Sequence, residues 1–275
     1  MTAILSIAGL RKSYAGVHAL DGVSFEVEGG SITGLIGPNG SGKSTAIDCI
    51  SGFQKLDAGT VTLAGNDVTG RPAHRIARAG LMRTFQTVRV YERLSLADNL
   101  AVAAQQFDPA TWIDEFLRTR RYRQAVEASE RRARELVGLI GLERYYEAEA
   151  GILSYGQKKL VALAAALMPR PRIVVLDEPV AGVNPSRIRE IEVALQQLNR
   201  AGETFLIVEH NVEFITNLCH RVIVLEQGRK LTEGTAGEIH TDPRVLEAYL
   251  GMKPEMAEAE MKGAACARAR SSWTR

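Results

Sequence analysis

At 275 residues, with 45% hydrophobic and 24% charged side chains, the chain can bury a substantial core, as one large domain or a domain carrying a subdomain. Its 34 basic and 32 acidic residues leave a formal charge of +2, so the total demands no nucleic acid as partner. The longest clean apolar run, Leu160 to Met168, is too short to span a bilayer, which takes about 20 residues.

The opening segment, Met1 to Ser6, lacks the basic stretch and apolar run of a secretory signal. Cys49, Cys219 and Cys266 are far apart and form no C-x-x-C pair, which suits a reducing compartment rather than a disulfide framework. The histidines show no zinc spacing, so the expectation is a cytosolic protein. Val23, Phe25 and Val27 alternate with Ser24, Glu26 and Glu28, the period of a half-buried strand, and Gly29-Gly30 breaks the run. A strand is predicted over Ile32 to Ile36, a glycine-rich loop after it, and a helix from Ser44 to Ile50. Thr60 to Leu63 reads as a further strand ending at the turn signal Gly65-Asn66-Asp67.

Helix formers dominate from about Ser95 to Tyr146, interrupted at Asp108-Pro109, which predicts two or three helices. The basic stretches Arg118 to Arg123 and Glu130 to Glu135 read as solvated helix faces, because Glu127, Glu130 and Glu135 are interleaved at helical spacing. Ser154 with Gln157 three residues on has the pattern of a helix cap and predicts a helix from Lys158 to Met168. Apolar runs at Ile173 to Leu176, Thr204 to Val208 and Arg221 to Leu225 read as strands buried on both faces, as in a parallel sheet under helices. Between the first two, Pro185 to Arg200 carries Ile188, Ile191, Leu195 and Leu198 at amphipathic spacing. Residues 252–275 show no periodic apolar face and are expected to form a mobile tail.

The chemistry is concentrated in Gly37-Pro38-Asn39-Gly40-Ser41-Gly42-Lys43-Ser44-Thr45, which fits the nucleotide phosphate-loop pattern G-x-x-x-x-G-K-[ST]. The glycines let backbone N–H groups turn onto an anion, Lys43 can reach the β- and γ-phosphates, and the Ser44 hydroxyl can ligate Mg²⁺. Asp177 and Glu178 close an apolar strand, where Asp177 is placed to bind Mg²⁺ and Glu178 to polarise an attacking water. An Asp-Glu pair in that place can also serve as a helix cap. Ser154 likewise reads as a cap, an anion contact, or both.

Taken together these residues resemble the ABC ATPases over about residues 4 to 250. Ser154-Tyr155-Gly156-Gln157 matches the signature loop, Gln86 the Q-loop glutamine, His210 the switch histidine, and Tyr14 the aromatic residue that stacks on adenine. The resemblance implies an α/β P-loop NTPase with a parallel-sheet core, an antiparallel β subdomain and a helical subdomain over about 92–155. It further implies a head-to-tail dimer, with a second copy or a paralogue, around two ATP molecules. Ser44, Gln86 and Asp177 would organise Mg²⁺, Glu178 would activate water, His210 would contact the γ-phosphate, and Ser154 and Gly156 would complete the partner's site. One departure is Asn184, where the family commonly has Asp.

Arg83-Thr84-Phe85-Gln86, Leu94 to Leu100 and Ile207 to Val212 resemble, more narrowly, the ATP-binding subunits of branched-chain amino-acid importers, a pattern shared with urea and amide importers. That implies a peripheral subunit on the cytoplasmic membrane face, held by integral permease subunits, served indirectly by a solute-binding protein, and independent of nucleic acid. Residues 88–99 read either as a connector with some buried residues or, as the resemblance implies, as the groove that receives a permease helix. A soluble ABC ATPase of ribosomes or DNA is the alternative, but the single nucleotide unit and balanced charge do not favour it. A P-loop kinase would leave Ser154 to Gln157 and His210 unexplained.

Overall fold

The structure, a computed structural model, describes residues 3–84, 89–105, 114, 116–117 and 119–250. The expected Asp108-Pro109 interruption, Gln86 and the 252–275 tail lie outside the described residues.

Two sheets organise the chain. The first is antiparallel, with β2 (Val17–Glu28), β1 (Ala3–Tyr14), β4 (Ala58–Leu63) and β5 (Asn66–Asp67) side by side in that order. Ala15 and Gly16 both take positive φ at the β1–β2 turn, the backbone twist that suits a two-residue hairpin.

In the second sheet the order is β10 (Arg229–Gly234), β9 (Arg221–Glu226), β3 (Ile32–Ile36), β8 (Phe205–Val208), β7 (Ile173–Asp177) and β6 (Leu81–Arg83). All these neighbours run parallel except the β9–β10 hairpin. The apolar runs are buried on both faces because alternate side chains enter different cores. Leu35, Val175, Leu206 and Ile223 face the antiparallel sheet and α1 (Lys43–Ile50). Ile36, Val174, Ile207 and Val222 face the helices.

Beyond α2 (Ala73–Ala79), a helical layer comprises α3 (Leu96–Gln105), α4 (Arg120–Leu139) and α5 (Tyr155–Leu167). Ala133, Leu136 and Val137 form the buried stripe of α4 at 3,4-spacing, continued by Ile140 at its C-cap. α5 starts three residues before the expected Lys158, because the Ser154–Gln157 capping box satisfies its first turn. α6 (Pro185–Arg200) has the predicted limits, with Asn184 as its cap. α7 (Val212–Leu218), α8 (Ala236–Thr241) and α9 (Pro243–Leu250) complete the described chain.

This topology brings the carboxyl ends of β3, β6, β7 and β8 to one edge of the parallel sheet. That edge is where open α/β sheets bind ligands.

Candidate nucleotide site

The loop after β3 is shaped by backbone approaches that exclude side chains. A Cβ on Gly37 would collide with the Leu225 carbonyl, and one on Gly42 (φ +100) would lie 2.5 Å from the Ala19 carbonyl oxygen. Gly228, in the β9–β10 turn, donates its N–H to the Ser41 carbonyl at 3.1 Å and accepts from Asp21 N–H at 2.7 Å. The loop is therefore clamped between both sheets. Gly42 caps α1 without any side-chain hydrogen bond, so the first N–H groups of α1 are left for an anion. Asn39, Gly40 and Ser44 are exposed, and Pro38 and Thr45 are half-buried.

Lys43 folds back over the loop, with Nζ donating to the carbonyls of Gly37 at 2.7 Å and Pro38 at 3.0 Å. Burial lowers its pKa below the usual lysine range, against the opposing pull of Glu178. Lys43 and Glu178 thus share one electrostatic environment across the sheet edge.

Asp177 ends β7 half-buried, and its Oδ2 accepts from Arg83 Nη2 at 2.9 Å. Glu178 follows with φ +50, a left-handed conformation that a non-glycine residue adopts only when its surroundings enforce it. Its N–H donates to the Val208 carbonyl at 2.9 Å, and Lys159 Nζ donates to its carbonyl at 2.8 Å. His210 Nδ1 lies 3.9 Å from Glu178 Oε1 and is largely exposed. Beneath both sits Glu209, fully buried, whose carboxylate accepts from the N–H groups of Val180 (3.0 Å), His210 (3.0 Å) and Asn211 (3.4 Å).

Lys43, Asp177, Glu178 and His210 are therefore gathered at one edge. Tyr14 stands apart at the end of β1, 44% exposed, with Lys12 Nζ 5.2 Å from its ring centre. Ser154 and Gly156 make no hydrogen bond to the phosphate loop among the described residues; a Cβ on Gly156 would meet the Val183 side chain at 3.4 Å. Asn184 accepts from Ser186 N–H at 3.1 Å and Ser186 Oγ–H at 2.9 Å, a capping role that needs no charge.

Among the described residues no cluster of three or more His, Cys, Asp or Glu side chains could hold a metal alone. The oxygen donors present, Ser44 and Asp177, fit Mg²⁺, which is held by one or two carboxylates with nucleotide phosphates and water.

Residues 20–181 match the profile of the family described as ABC transporter. The chain belongs to the ABC transporter ATP-binding family. Relatives include the high-affinity branched-chain amino acid transport ATP-binding protein BraF of Pseudomonas aeruginosa, 33% identical over 249 residues, spanning 90% of this chain and 98% of that one. LivG of Salmonella typhimurium, named in the same words, is 36% identical with the same coverage. Among solved structures, an ATP-binding cassette of an ABC transporter in its ADP conformation superposes with a TM-score of 0.78 at 32% identity, over 92% of this chain and all of that one.

As an ABC ATPase, the chain binds ATP and hydrolyses it in the service of a transporter. The fold anticipated from the sequence, a P-loop ABC ATPase, is the fold observed. Three further residues bond to this group, Arg83, Lys159 and Glu209, and the sequence assigns none of them a role there. Lys159 lies two residues past Gln157, the last signature residue, and Glu209 directly precedes His210. Only their burial and partners mark them.

Proposed function

We propose that this ATPase energises the import of branched-chain amino acids, from the cytoplasmic face of the membrane and bound to integral permease subunits. The observation that carries the reading is the chain-long similarity to BraF and LivG, which spans nearly all of those proteins and includes the phosphate loop and the Asp177–Glu178 strand end. The absence of any membrane-crossing helix among the described residues is compatible with a peripheral subunit.

In this reading, the loop amides and Lys43 hold the β- and γ-phosphates, and Ser44, Asp177 and Gln86 would hold Mg²⁺. The metal neutralises charge on the phosphate oxygens when bound. Glu178 orients water for attack on the γ-phosphorus and takes its proton as the bond to the β–γ bridging oxygen breaks. His210, beside Glu178, contacts the γ-phosphate, and Tyr14 stacks on adenine. Ser154 and Gly156 would complete the site of a second ATPase subunit in a head-to-tail dimer. Closure of that dimer would move the permease.

Proteoliposomes containing this chain with its permease subunits, a partner ATPase and the binding protein test the assignment. Labelled leucine should accumulate only with ATP inside. Uptake of urea or short amides in preference to leucine, or none of the three, would refute the solute assignment.

A further inference from the structure

Arg83, at the carboxyl end of β6, has a side chain only 9% exposed and divides its guanidinium between two carboxylates. Nη1 donates to Asp48 Oδ1 at 2.6 Å and to Ser51 Oγ at 3.2 Å, and Nη2 donates to Asp177 Oδ2 at 2.9 Å. The Phe53 ring lies 5.6 Å from the guanidinium carbon. Asp48 sits on α1, the helix that opens at the phosphate loop, and Ser51 caps its end. Asp177 closes β7, and Arg83 closes β6, three residues before Gln86 in the sequence. One planar cation thus ties together β6, the helix that follows the phosphate loop and the strand that ends in Asp177.

We propose that Arg83 is a positioning residue for nucleotide-bound Mg²⁺, holding Oδ2 of Asp177 so that Oδ1 alone is presented to the metal or its water. The inference rests on the reading of Asp177 as metal ligand. The chemistry favours arginine. Its rigid fork reaches two carboxylates on different elements at once, whereas the single ammonium of lysine is a point charge on a flexible stem. Without the bridge, the two carboxylates lose the cation that holds both at once. Asp177 can then turn its carboxylate, and the separation between it and the loop helix is no longer set by a common partner. Groups that orient a metal's ligands commonly matter almost as much as the ligands themselves.

The test uses the full chain and two readouts: the Mg²⁺ concentration for half-maximal hydrolysis at fixed ATP, and titration of a fluorescent ATP analogue in Mg²⁺ and in EDTA. Arg83→Lys should raise the Mg²⁺ requirement about 10-fold or more and abolish the tightening of nucleotide binding by Mg²⁺. Binding in EDTA should stay at the wild-type level, because the loop amides and Lys43 are untouched. Asp48→Asn, which weakens the other end of the bridge, should shift the requirement the same way by a smaller factor. An unchanged Mg²⁺ requirement in Arg83→Lys overturns the proposal, as does lost binding in EDTA, which would mean a collapsed loop. A shift in Arg83→Lys without one in Asp48→Asn overturns the link to α1. Asp177→Asn, measured alongside, separates the two levels. If it leaves the requirement unchanged, the metal reading of Asp177 fails; if it shifts the requirement and Arg83→Lys does not, only the Arg83 inference fails.

Discussion

Glu209→Gln keeps the size of a fully buried side chain while removing its charge and one of its two acceptor oxygens. In the native protein Oε1 serves Val180 N–H at 3.0 Å, and Oε2 serves His210 N–H at 3.0 Å and Asn211 N–H at 3.4 Å. Whichever way the amide turns, its NH₂ confronts at least one backbone donor. If it faces Val180, the loop following Glu178 loses its anchor; if it faces His210 and Asn211, the start of α7 loses two. Hydrogen bonds to a charged acceptor contribute about 1.5–3 kcal/mol each, and a buried donor left unpaired costs about 1–3 kcal/mol. Even the smaller loss therefore predicts destabilisation of roughly 2–4 kcal/mol, a fall in melting temperature of about 5–10 °C for a domain of this size. Hydrolysis should fall as well, since Glu178 and His210 both sit on the backbone that Glu209 holds. Denaturant unfolding and steady-state ATPase assays measure the two effects. A loss below about 0.5 kcal/mol, the range of ordinary surface substitutions, with normal turnover would refute the positioning role.

Two further outcomes are expected. Lys159→Met, which removes the donor at 2.8 Å from the Glu178 carbonyl, should lower turnover about 10-fold or more with little change in the Michaelis constant for ATP, because it misplaces the water-orienting residue without touching the phosphate loop; unaltered turnover in a steady-state assay would contradict this. Asp57 is held below the usual carboxylate range by the Lys12 side chain and by Ser13 N–H, so its contribution to stability is present above that range and is lost as pH falls through its lowered value. The stability gap between the wild type and Asp57→Asn, followed by thermal melts, should therefore be constant near neutrality and shrink in acid; a gap that widens in acid would show the opposite linkage.

How much of this was legible in the sequence depends on whether the cause was local. Pro185–Arg200 could be read to its limits because Asn184, Pro185 and the apolar spacing are all within the segment. The strands from Ile32, Ile173 and Arg221 announced themselves through their unbroken apolar runs. The parallel edge strand Leu81–Arg83 could not, since three residues carry no period and only pairing with β7 defines it. α5 begins at Tyr155, three residues before the expected Lys158, because Ser154 caps the turn that contains Gln157.

The site divides in the same way. Lys43, Asp177 and Glu178 are found by motif. Arg83 depends on Asp48, 35 residues earlier, and Asp177, 94 residues later, a relation that only the folded chain displays. The left-handed turn at Glu178 was equally invisible, as nothing about a glutamate suggests φ +50. It is enforced by Val208, Lys159 and the buried Glu209.

The central claim is that ATP is held by the Lys43 loop and cleaved by water oriented by Glu178. Light scattering of the Glu178→Gln protein during gel filtration with Mg²⁺ and ATP, with the bound nucleotide then identified, tests it most directly. The amide cannot take the proton from water, so uncleaved ATP should remain bound and the species should have twice the monomer mass. Recovery of ADP at the wild-type rate, from a species that never exceeds the monomer mass, would contradict it.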